Sequence, residues 1–283
     1  MKSVVVTGVS TGIGWGTAKV LTKRGFRVFG SVRKQADADR LAKELGPSFV
    51  PLLFDVTDAA AVQAGAARVR DSLKGETLFG LVNNAGIAVP GPLAHLKVDD
   101  FRRQMEVNLT SVLVVTQAFL PQLGMDKSLT GKPGRIVNIS SVGGKNGSPF
   151  VGAYAASKHA LEGFSESLRR ELMLFGIDVI IIGPGAVATA IWDKANDTDV
   201  AQFASTPYAP SLDAVRNYMV GLGRKGLAPE KLGRLVHKTL TIANPRVRYP
   251  ITPNPVSSWF QNRLPKRTMD RLIAGRLGLK PGA

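Results

Sequence analysis

Short runs of β-branched and other apolar residues alternate along this chain with amphipathic stretches. The runs predict strands at Ser3–Thr7, Arg27–Val32, Phe49–Phe54, Leu78–Val82, Arg135–Ser140 and Asp178–Ile182. Each run is continuously apolar rather than alternating in polarity, as a strand buried on both faces requires. Strand, helix and strand in regular order therefore predict an α/β fold, a doubly wound parallel sheet with helices on both faces.

No internal repeat or credible linker interrupts this pattern over the first two thirds of the chain. Farther on, residues 186–225 are polar and irregular, Pro229–Ile242 predicts a helix, and Arg246–Ile251 predicts a last strand. Because 44% of the 283 residues are hydrophobic, the chain can bury one large core. We therefore expect a single domain over residues 1–283, with a substrate loop at 186–228 and a basic extension at 253–283.

The formal net charge of +16 favours an anionic partner, namely a phosphorylated cofactor, an anionic lipid or nucleic acid, without choosing among them. Nucleic acid has no further support, since no helix-turn-helix, zinc-finger or RNA-binding aromatic motif is found. The chain has no cysteine, which excludes disulfides, thiolate catalysis and cysteine metal sites. Its histidines, His95, His159 and His237, have no partner at ligand spacing, so we expect no metal site.

Two features of the sequence bear on where the protein works. The apolar run Val4-Val5-Val6 begins almost at Met1, so the pattern predicts no signal peptide. The longest apolar runs, such as Val179 to Ile182, are far too short to span a bilayer. We therefore expect a cytoplasmic protein.

A glycine-rich turn follows the first predicted strand. The sequence there is Thr7-Gly8-Val9-Ser10-Thr11-Gly12-Ile13-Gly14, and a helical pattern follows from Trp15 to Arg24. Glycines let the backbone approach a pyrophosphate closely, and the helix N-terminus offers free N–H donors. The position between strand and helix predicts a dinucleotide site, with an ordinary tight turn as the alternative.

The end of the second predicted strand bears on which dinucleotide is bound. A carboxylate there holds the ribose 2′-hydroxyl of NAD, whereas a cation holds the 2′-phosphate of NADP. The sequence is Ser31-Val32-Arg33-Lys34, and the first acids, Asp37 and Asp39, fall where the next helix begins. This pattern favours NADP(H) with Arg33 as its phosphate ligand. The alternative is NAD(H), in which case Arg33 and Lys34 would merely be solvated. Asp55-Val56 is predicted to lie at the edge of the adenine.

Tyr154 and Lys158 lie four residues apart within Gly152–Phe175, a stretch of helical periodicity, so both project from one helix face. A cation beside a phenol lowers the pKa of the phenol from about 10, which would make Tyr154 a proton donor and acceptor near neutrality. Such spacing alone is common on protein surfaces. Here it is accompanied by strand-ending residues and by an asparagine in a helical pattern: Ser140-Ser141, Asn83-Asn84-Ala85-Gly86 and Asn108.

Together these residues closely resemble the pattern of the short-chain dehydrogenases/reductases. The matching elements cover about the first 190 residues in the family's order: Thr7-Gly8-x-x-x-Gly12-Ile13-Gly14, Asp55, Asn83-Asn84-Ala85-Gly86, Asn108, Ser141, Tyr154-x-x-x-Lys158 and Pro184-Gly185-x-Val187-x-Thr189. In that family the catalytic serine precedes the tyrosine by thirteen residues, so the resemblance selects Ser141 over Ser140. The stretch from Tyr154 to Leu172 is similar, more specifically, to hydroxysteroid and retinol dehydrogenases.

The resemblance implies a Rossmann-like sheet and an NADP(H)-dependent oxidoreductase that interconverts a carbonyl and an alcohol. Ser141 and Tyr154 would bind the substrate oxygen, and Tyr154 would exchange the proton. Lys158 would lower the pKa of the tyrosine and hold the nicotinamide ribose, while Asn108 would position a water. The implied cofactor-binding residues are Gly8, Ser10, Thr11, Gly12, Ile13, Gly14, Arg33, Asp55, Val56, Asn84, Ala85, Gly86, Tyr154, Lys158, Pro184, Gly185, Val187 and Thr189.

The segment after Thr189 bears on the substrate. Its large apolar side chains predict a lid over a bulky, steroid-like or retinoid-like substrate, with core packing as the alternative. These side chains are Trp192, Phe203, Tyr208, Tyr218 and Met219. A competing hypothesis is that cations of the same segment point inward and bind an acidic carbonyl substrate; these are Arg216, Arg224 and Lys225.

The C-terminal extension has apolar residues at helical spacing among basic ones. The apolar residues are Trp259, Phe260, Leu264, Met269, Leu272, Ile273 and Leu277, and the basic ones are Arg263, Lys266, Arg267, Arg271, Arg276 and Lys280. We favour a helical lid over the substrate pocket, or a contact within a homodimer or homotetramer. An anionic membrane surface is the alternative. A catalytically idle NADP(H)-binding regulator is the rival function, although the intact catalytic group argues against it.

Overall fold

A computed structural model describes residues 1–189, 200–224, 226–255 and 263–279. Five of the residues singled out above in the substrate segment and the extension lie outside these ranges: Trp192, Lys225, Trp259, Phe260 and Lys280. Side chains at 200, 201, 213, 216–220, 222 and 224 also lie outside the description. The predictions for Arg216, Tyr218, Met219 and Arg224 fall among these.

Within the described ranges, seven strands form one sheet in the order β3-β2-β1-β4-β5-β6-β7, and each neighbouring pair is parallel. The strands are β1 (Ser3–Val6), β2 (Arg27–Val32), β3 (Phe49–Leu53), β4 (Gly80–Asn83), β5 (Arg135–Ile139), β6 (Asp178–Pro184) and β7 (Arg248–Ile251). The predicted parallel, doubly wound sheet is confirmed. β7 begins two residues later than its sequence pattern indicates.

Helices follow the strands and cover the sheet. They are α1 (Gly12–Lys23), α2 (Gln35–Leu45), α3 (Ala59–Leu73), α4 (Val98–Met105), α5 (Ser111–Phe119), α6 (Gly152–Glu171), α7 (Ala209–Arg224), α8 (Pro229–Thr241) and α9 (Lys266–Leu277). A π-helical turn, Glu106–Thr110, joins α4 to α5, and a 3₁₀ turn, Val142–Gly144, follows β5.

Both faces of the sheet are buried, as the continuously apolar strands predict. Val4 and Val6 of β1 pack in one core cluster, whereas Val5 between them packs in the other. Alternate side chains of a strand point to opposite faces, so each cluster lies between the sheet and one layer of helices. No helix of the described residues is long and apolar enough to cross a membrane.

The chain runs outward from β1 to β2 and β3 and then returns to place β4 on the other side of β1, so the strand order reverses beside β1. In open α/β sheets, ligands bind beyond the carboxyl ends of the strands at such a switch point. The helix that begins at this switch point, α1, is packed closely against α8. A Cβ on Gly16 would lie 2.5 Å from the carbonyl carbon of Pro229, and one on Gly233 would lie 2.5 Å from the Gly16 oxygen. Larger side chains would push the two helices apart.

Candidate active site

One cleft of about 1770 Å³ runs along the carboxyl ends of the strands. It is lined by nearly every residue predicted for cofactor binding: Gly8, Ser10, Thr11, Gly12, Ile13, Arg33, Asp55, Val56, Asn84, Ala85, Gly86, Tyr154, Lys158, Pro184, Gly185, Val187 and Thr189. Ser141 also lines it. Gly14 and Asn108 do not line the cleft; both lie behind its wall.

The glycine-rich turn admits no larger residues at two of its positions. Gly8 has φ +67°, and a Cβ there would lie 2.9 Å from the Cα of Ala85. A Cβ on Gly14 would lie 2.2 Å from the Gly8 carbonyl oxygen. Gly8 therefore lets the loop approach the end of β4, and Gly14 packs α1 against that loop, which explains its place behind the cleft wall.

The two ends of the predicted cofactor site meet across the cleft. Gly12 has φ +62°, and a Cβ there would lie 3.1 Å from Cγ2 of Thr189, beyond β6. Thr11 precedes α1 without a capping side-chain bond, so the amide donors of that helix end are available to a ligand. A narrow glycine cradle facing open helix donors fits the pyrophosphate of a dinucleotide.

Thr7 joins β1 to the end of β4. Its Oγ1 accepts hydrogen bonds from the backbone N–H of Asn84 at 2.9 Å and of Ala85 at 3.0 Å. The Asn84 side chain donates in return to the carbonyls of Thr7 at 2.8 Å and Gly8 at 3.1 Å. Sequence reasoning did not assign Thr7 a role, although a hydroxyl residue before the first glycine was a usable signal.

The charged groups beyond β2 and β3 lie on the nucleotide end of the cleft. Nη1 of Arg33 lies 3.7 Å from Oδ2 of Asp55, and the Arg33 side chain is 69% exposed. Burial acts to raise the pKa of Asp55, but hydrogen bonds from Thr57 and the Arg33 charge outweigh it and lower that pKa. A second cation, Arg40, donates to the Ser10 carbonyl at 2.7 Å, a contact that the sequence did not indicate. An anion entering here meets an exposed guanidinium.

Ser141 and Tyr154 meet on the cleft wall. Ser141 begins the 3₁₀ turn after β5, and its Oγ accepts from the N–H of Gly143 at 3.0 Å. A side-chain hydrogen bond joins it to Tyr154. Burial raises the pKa of Tyr154 above its usual 10, and the bond to Ser141 acts in the opposite direction. The two hydroxyl groups are placed to hold one ligand oxygen between them.

Lys158 lies behind the tyrosine on α6 and is 5% exposed. Its Nζ donates to the carbonyl of Ile139 at 2.9 Å and lies 5.8 Å from the centroid of the Tyr154 ring. Burial lowers the pKa of Lys158 to about 8, while the charge of Glu162 acts to raise it. The expected lowering of the tyrosine pKa is not found, because the ammonium bonds to a backbone carbonyl and burial disfavours the phenolate.

Asn108 lies in the π-helical turn and is 1% exposed. Its Nδ2 donates to the Ile87 carbonyl at 3.0 Å and to Oγ of Ser157 at 3.1 Å, and its Oδ1 accepts from the Ile87 N–H at 2.9 Å. π-helical turns are frequent at functional sites. Asn108 thus links the segment after β4 to α6, one residue before the lysine.

Gln104 performs a similar task, and sequence reasoning missed it. It is fully buried on α4, accepts from the N–H of Val89 at 2.8 Å and donates to the Ile87 carbonyl at 2.9 Å. Its position one turn before Asn108 was the available signal, since residues four apart share a helix face. Two amide side chains therefore hold residues 87–89 along the cleft.

The cleft is also lined by the C-terminal helix α9 and by Leu264, which lies just before that helix. Leu264, Met269 and Ile273 contribute apolar surface there, and Lys266 and Asp270 contribute charge. This placement agrees with the interpretation of the extension as a helix over the pocket. Phe203 and Tyr208 pack instead in a small core with Phe150, Leu212 and Leu279, which favours the core-packing alternative for these two. Within the described ranges, no group of three potential metal ligands occurs.

Comparison with known proteins agrees with this arrangement. Residues 2–200 match a family model described as short chain dehydrogenase. An NADPH-dependent 3-dehydrocapnine reductase from Ornithobacterium rhinotracheale is 33% identical over 274 residues, which span 96% of this chain and 96% of that protein. Homo sapiens retinol dehydrogenase 16 is 39% identical over 194 residues, which span 68% of this chain and 59% of that protein.

A solved structure shares the fold. The short chain dehydrogenase/reductase from Burkholderia phymatum in complex with NAD superposes with a TM-score of 0.78 at 24% identity, covering 96% of this chain and 95% of that one. The family model spans well over half of the chain, and the bacterial reductase aligns over nearly all of it. The chain therefore belongs to the short-chain dehydrogenase family and is an oxidoreductase.

Proposed function

We propose that this protein is an NADP(H)-dependent oxidoreductase that interconverts a ketone or aldehyde and an alcohol on a bulky apolar substrate. The observation that carries the proposal is the convergence of Ser141 and Tyr154 on the wall of a cleft whose other end fits a dinucleotide. A catalytically idle regulator would not need this pair of hydroxyl groups beside a buried lysine.

In the proposed reaction, a bound nicotinamide supplies hydride in reduction and accepts it in oxidation. Ser141 and Tyr154 donate hydrogen bonds to the substrate oxygen, which orients its carbon and stabilises the charge that develops there. Tyr154 gives its proton to that oxygen in reduction and takes one in oxidation. Lys158 would hold the nicotinamide ribose, and Asn108 would position the water that links the lysine to solvent.

NADP(H) is the proposed cofactor because Arg33 lies exposed at the end of β2, where a carboxylate would be needed for NAD. The relative named as an NADPH-dependent reductase supports this choice. Asn84 and the glycine-rich turn would hold the rest of the nucleotide, and Thr7 would fix the end of β4 behind them. NAD(H) is the alternative, and Asp55 is the carboxylate nearest to Arg33 in this region.

The substrate class follows from the apolar side chains of the C-terminal helix on the cleft. Burying apolar surface there stabilises a complex by roughly 25 cal/mol per Å². The likeness to retinol dehydrogenase 16 supports a large apolar substrate. Lys266, Arg102 and Arg103 also line the cleft, which favours an acidic carbonyl compound as the second candidate.

A substrate panel with NADPH and NADP⁺, followed at the nicotinamide absorbance, tests the proposal. We expect kcat/KM to be highest for bulky apolar ketones and secondary alcohols. Saturation on carboxylated or phosphorylated ketones alone would select the second candidate. Tight binding of NADPH without turnover of any carbonyl compound or alcohol would support the idle regulator instead.

We further propose that residues 1–283 form one domain, in which residues 186–228 and 253–283 form the substrate side. A homodimer or homotetramer in the cytoplasm is the proposed working form, with a carbonyl compound or alcohol as its small-molecule partner and no nucleic acid. Contact of the basic extension with a membrane surface is the alternative. Sedimentation of the purified protein, alone and with anionic vesicles, measures both the assembly and the membrane contact.

A further inference from the structure

The proposed chemistry leaves one buried carboxylate without a task. Glu162 lies on α6 one turn after Lys158 and is 3% exposed. Burying a carboxylate is expensive unless it is paired and hydrogen-bonded. Its place directly behind the catalytic group therefore requires a reason.

Glu162 is paired with Arg248 of β7 through both carboxylate oxygens. Nε of Arg248 lies 2.8 Å from Oε2 and 3.1 Å from Oε1, and Nη2 lies 3.0 Å from Oε1. Nζ of Lys145, after the 3₁₀ turn, lies 3.5 Å from Oε2. One carboxylate thus connects α6, the last strand and the turn that follows Ser141.

The same guanidinium reaches the catalytic serine. Nη2 of Arg248 donates to the carbonyl of Ser141 at 3.4 Å. The surroundings are tightly packed, since a Cβ on Gly183 would lie 2.6 Å from that nitrogen and one on Gly144 would lie 3.0 Å from Cγ of Glu162. Movement of the carboxylate would therefore be transmitted to the turn that carries Ser141.

Glu162 also acts on Lys158 through its charge. Among the charged and titratable groups of this region, Tyr154 and Glu162 on α6 act on the lysine itself, whereas Arg248 of β7 and Lys145 after β5 pair with Glu162. Glu106 of the π-helical turn lines the cleft. The Glu162 charge favours the ammonium form of Lys158 and opposes the effect of burial. The carboxylate thus bears on two of the catalytic residues by two separate routes.

We propose that Glu162 is a positioning residue of this active site, which fixes the Ser141 turn through Arg248 and stabilises the Lys158 ammonium by its charge. The inference rests on the proposed function, because Ser141 and Lys158 have their roles there. Glu162 itself contacts neither the cleft nor a reacting atom. Its effect is therefore measured on the residues that it positions.

The first test needs no substrate. In protein labelled with ¹³C-lysine, the ¹³Cε signal of Lys158, identified by its loss in Lys158→Arg, is followed against pH in the wild type and in Glu162→Gln. Glutamine keeps an oxygen for Arg248 and removes the charge. Because an opposite charge at close range raises a lysine pKa by about one unit or more, we expect the Lys158 pKa to fall by about one unit.

Glu166→Gln is the matched control. Glu166 lies one turn farther along α6, with a side chain that is 55% exposed and paired loosely with Arg170 at 3.9 Å. We expect its removal to leave the Lys158 titration unchanged. An equal shift in both variants, or none in Glu162→Gln, would overturn the charge effect.

The second test uses turnover. Reduction requires the ammonium form of Lys158, so kcat falls as pH rises through the Lys158 pKa. We expect this alkaline limb to move to lower pH in Glu162→Gln. In Arg248→Gln the carboxylate charge stays, so this alkaline limb should not move to lower pH. We expect kcat to fall at every pH, because the Ser141 carbonyl keeps the Gly144 N–H as a donor but loses the Arg248 guanidinium. If the maximal kcat of Arg248→Gln equalled that of the wild type, the positioning of Ser141 through Arg248 would be overturned.

A folding control completes the design. If Glu162→Gln does not fold, the double variant Glu162→Gln/Arg248→Gln leaves no buried unpaired charge and serves in the same titration. A lowered Lys158 pKa there supports the proposal, whereas an unchanged pKa or a failure to fold assigns the pair to scaffold stability alone. If no substrate is found but the lysine titration shifts, the proposed function fails and only the charge effect of Glu162 on Lys158 stands.

Discussion

At the scale of single residues, the active site depends on where a few polar atoms lie. The sequence spacing of Tyr154 and Lys158 correctly places them on one helix face. It does not predict that the ammonium bonds to the Ile139 carbonyl, because that contact depends on how α6 packs beside β5. The pKa of the tyrosine follows from this packing and not from the spacing.

Tyr154→Phe tests the proton-transfer role. The phenylalanine ring keeps the packing and removes the hydroxyl, so we expect kcat to fall by roughly 10²-fold or more while NADPH affinity changes little. Stopped-flow turnover and fluorescence titration with NADPH measure the two quantities. Tyr208→Phe, in the small core around Phe203, should leave both unchanged. Turnover of Tyr154→Phe within a few-fold of the wild type would contradict the assignment.

Arg33→Ala tests the choice of cofactor. Charge-assisted contacts to phosphate are among the stronger hydrogen bonds, and removing this one should lower kcat/KM with NADPH by roughly tenfold while sparing NADH. The matched control is Lys34→Ala, an exposed neighbour that does not line the cleft. A wild-type enzyme that prefers NADH would show that the assignment of Arg33 is wrong.

At the scale of whole elements, the strands were predictable and their contacts were not. Continuous apolar runs located β1 and β2 with ends within one residue of those observed, because burial on both faces leaves an unambiguous pattern. Gln104 was overlooked because its function depends on residues 87–89 lying beside α4, which only the tertiary fold brings about. Phe203 was assigned to a lid or to the core with equal reason, since composition does not distinguish the two.

Gln104→Leu should loosen the segment beyond β4. The leucine has a similar shape but leaves a buried N–H and a buried carbonyl with fewer partners, so we expect the free energy of unfolding to fall by about 2 kcal/mol. Denaturant unfolding of this variant and of Gln63→Leu, an exposed position on α3, gives the comparison. Equal stability of the two variants would mean that Gln104 does not secure this segment.

Ile273→Asp tests whether α9 contributes to substrate binding. Ile273 lines the cleft, so a carboxylate there should lower kcat/KM for an apolar ketone by roughly tenfold or more, because a charge resists burial against apolar surface. Leu272→Asp is the control on the same helix, since Leu272 is 58% exposed and does not line the cleft. If Leu272→Asp alone had an effect, and it reduced binding to anionic vesicles, the helix would belong to a membrane contact.

At the scale of the whole molecule, the family resemblance and the parallel, doubly wound sheet could both be predicted, because motifs and strand runs are local in sequence. The pairing of Glu162 with Arg248 could not, since the two residues lie 86 positions apart and meet only when β7 joins β6. The same holds for Gly12 and Thr189, each part of a recognised motif but brought together by the fold.

The position of Arg248 on the edge strand has a consequence for how the protein is made. A growing chain that has emerged from the ribosome only as far as β6 already contains Ser141, Tyr154 and Lys158, but its buried Glu162 has not yet met the guanidinium. Leaving such a carboxylate without its principal partner costs several kcal/mol. The catalytic centre is therefore expected to become rigid late in synthesis, when β7 is added to the sheet, so that a nascent chain acquires its fold before its activity.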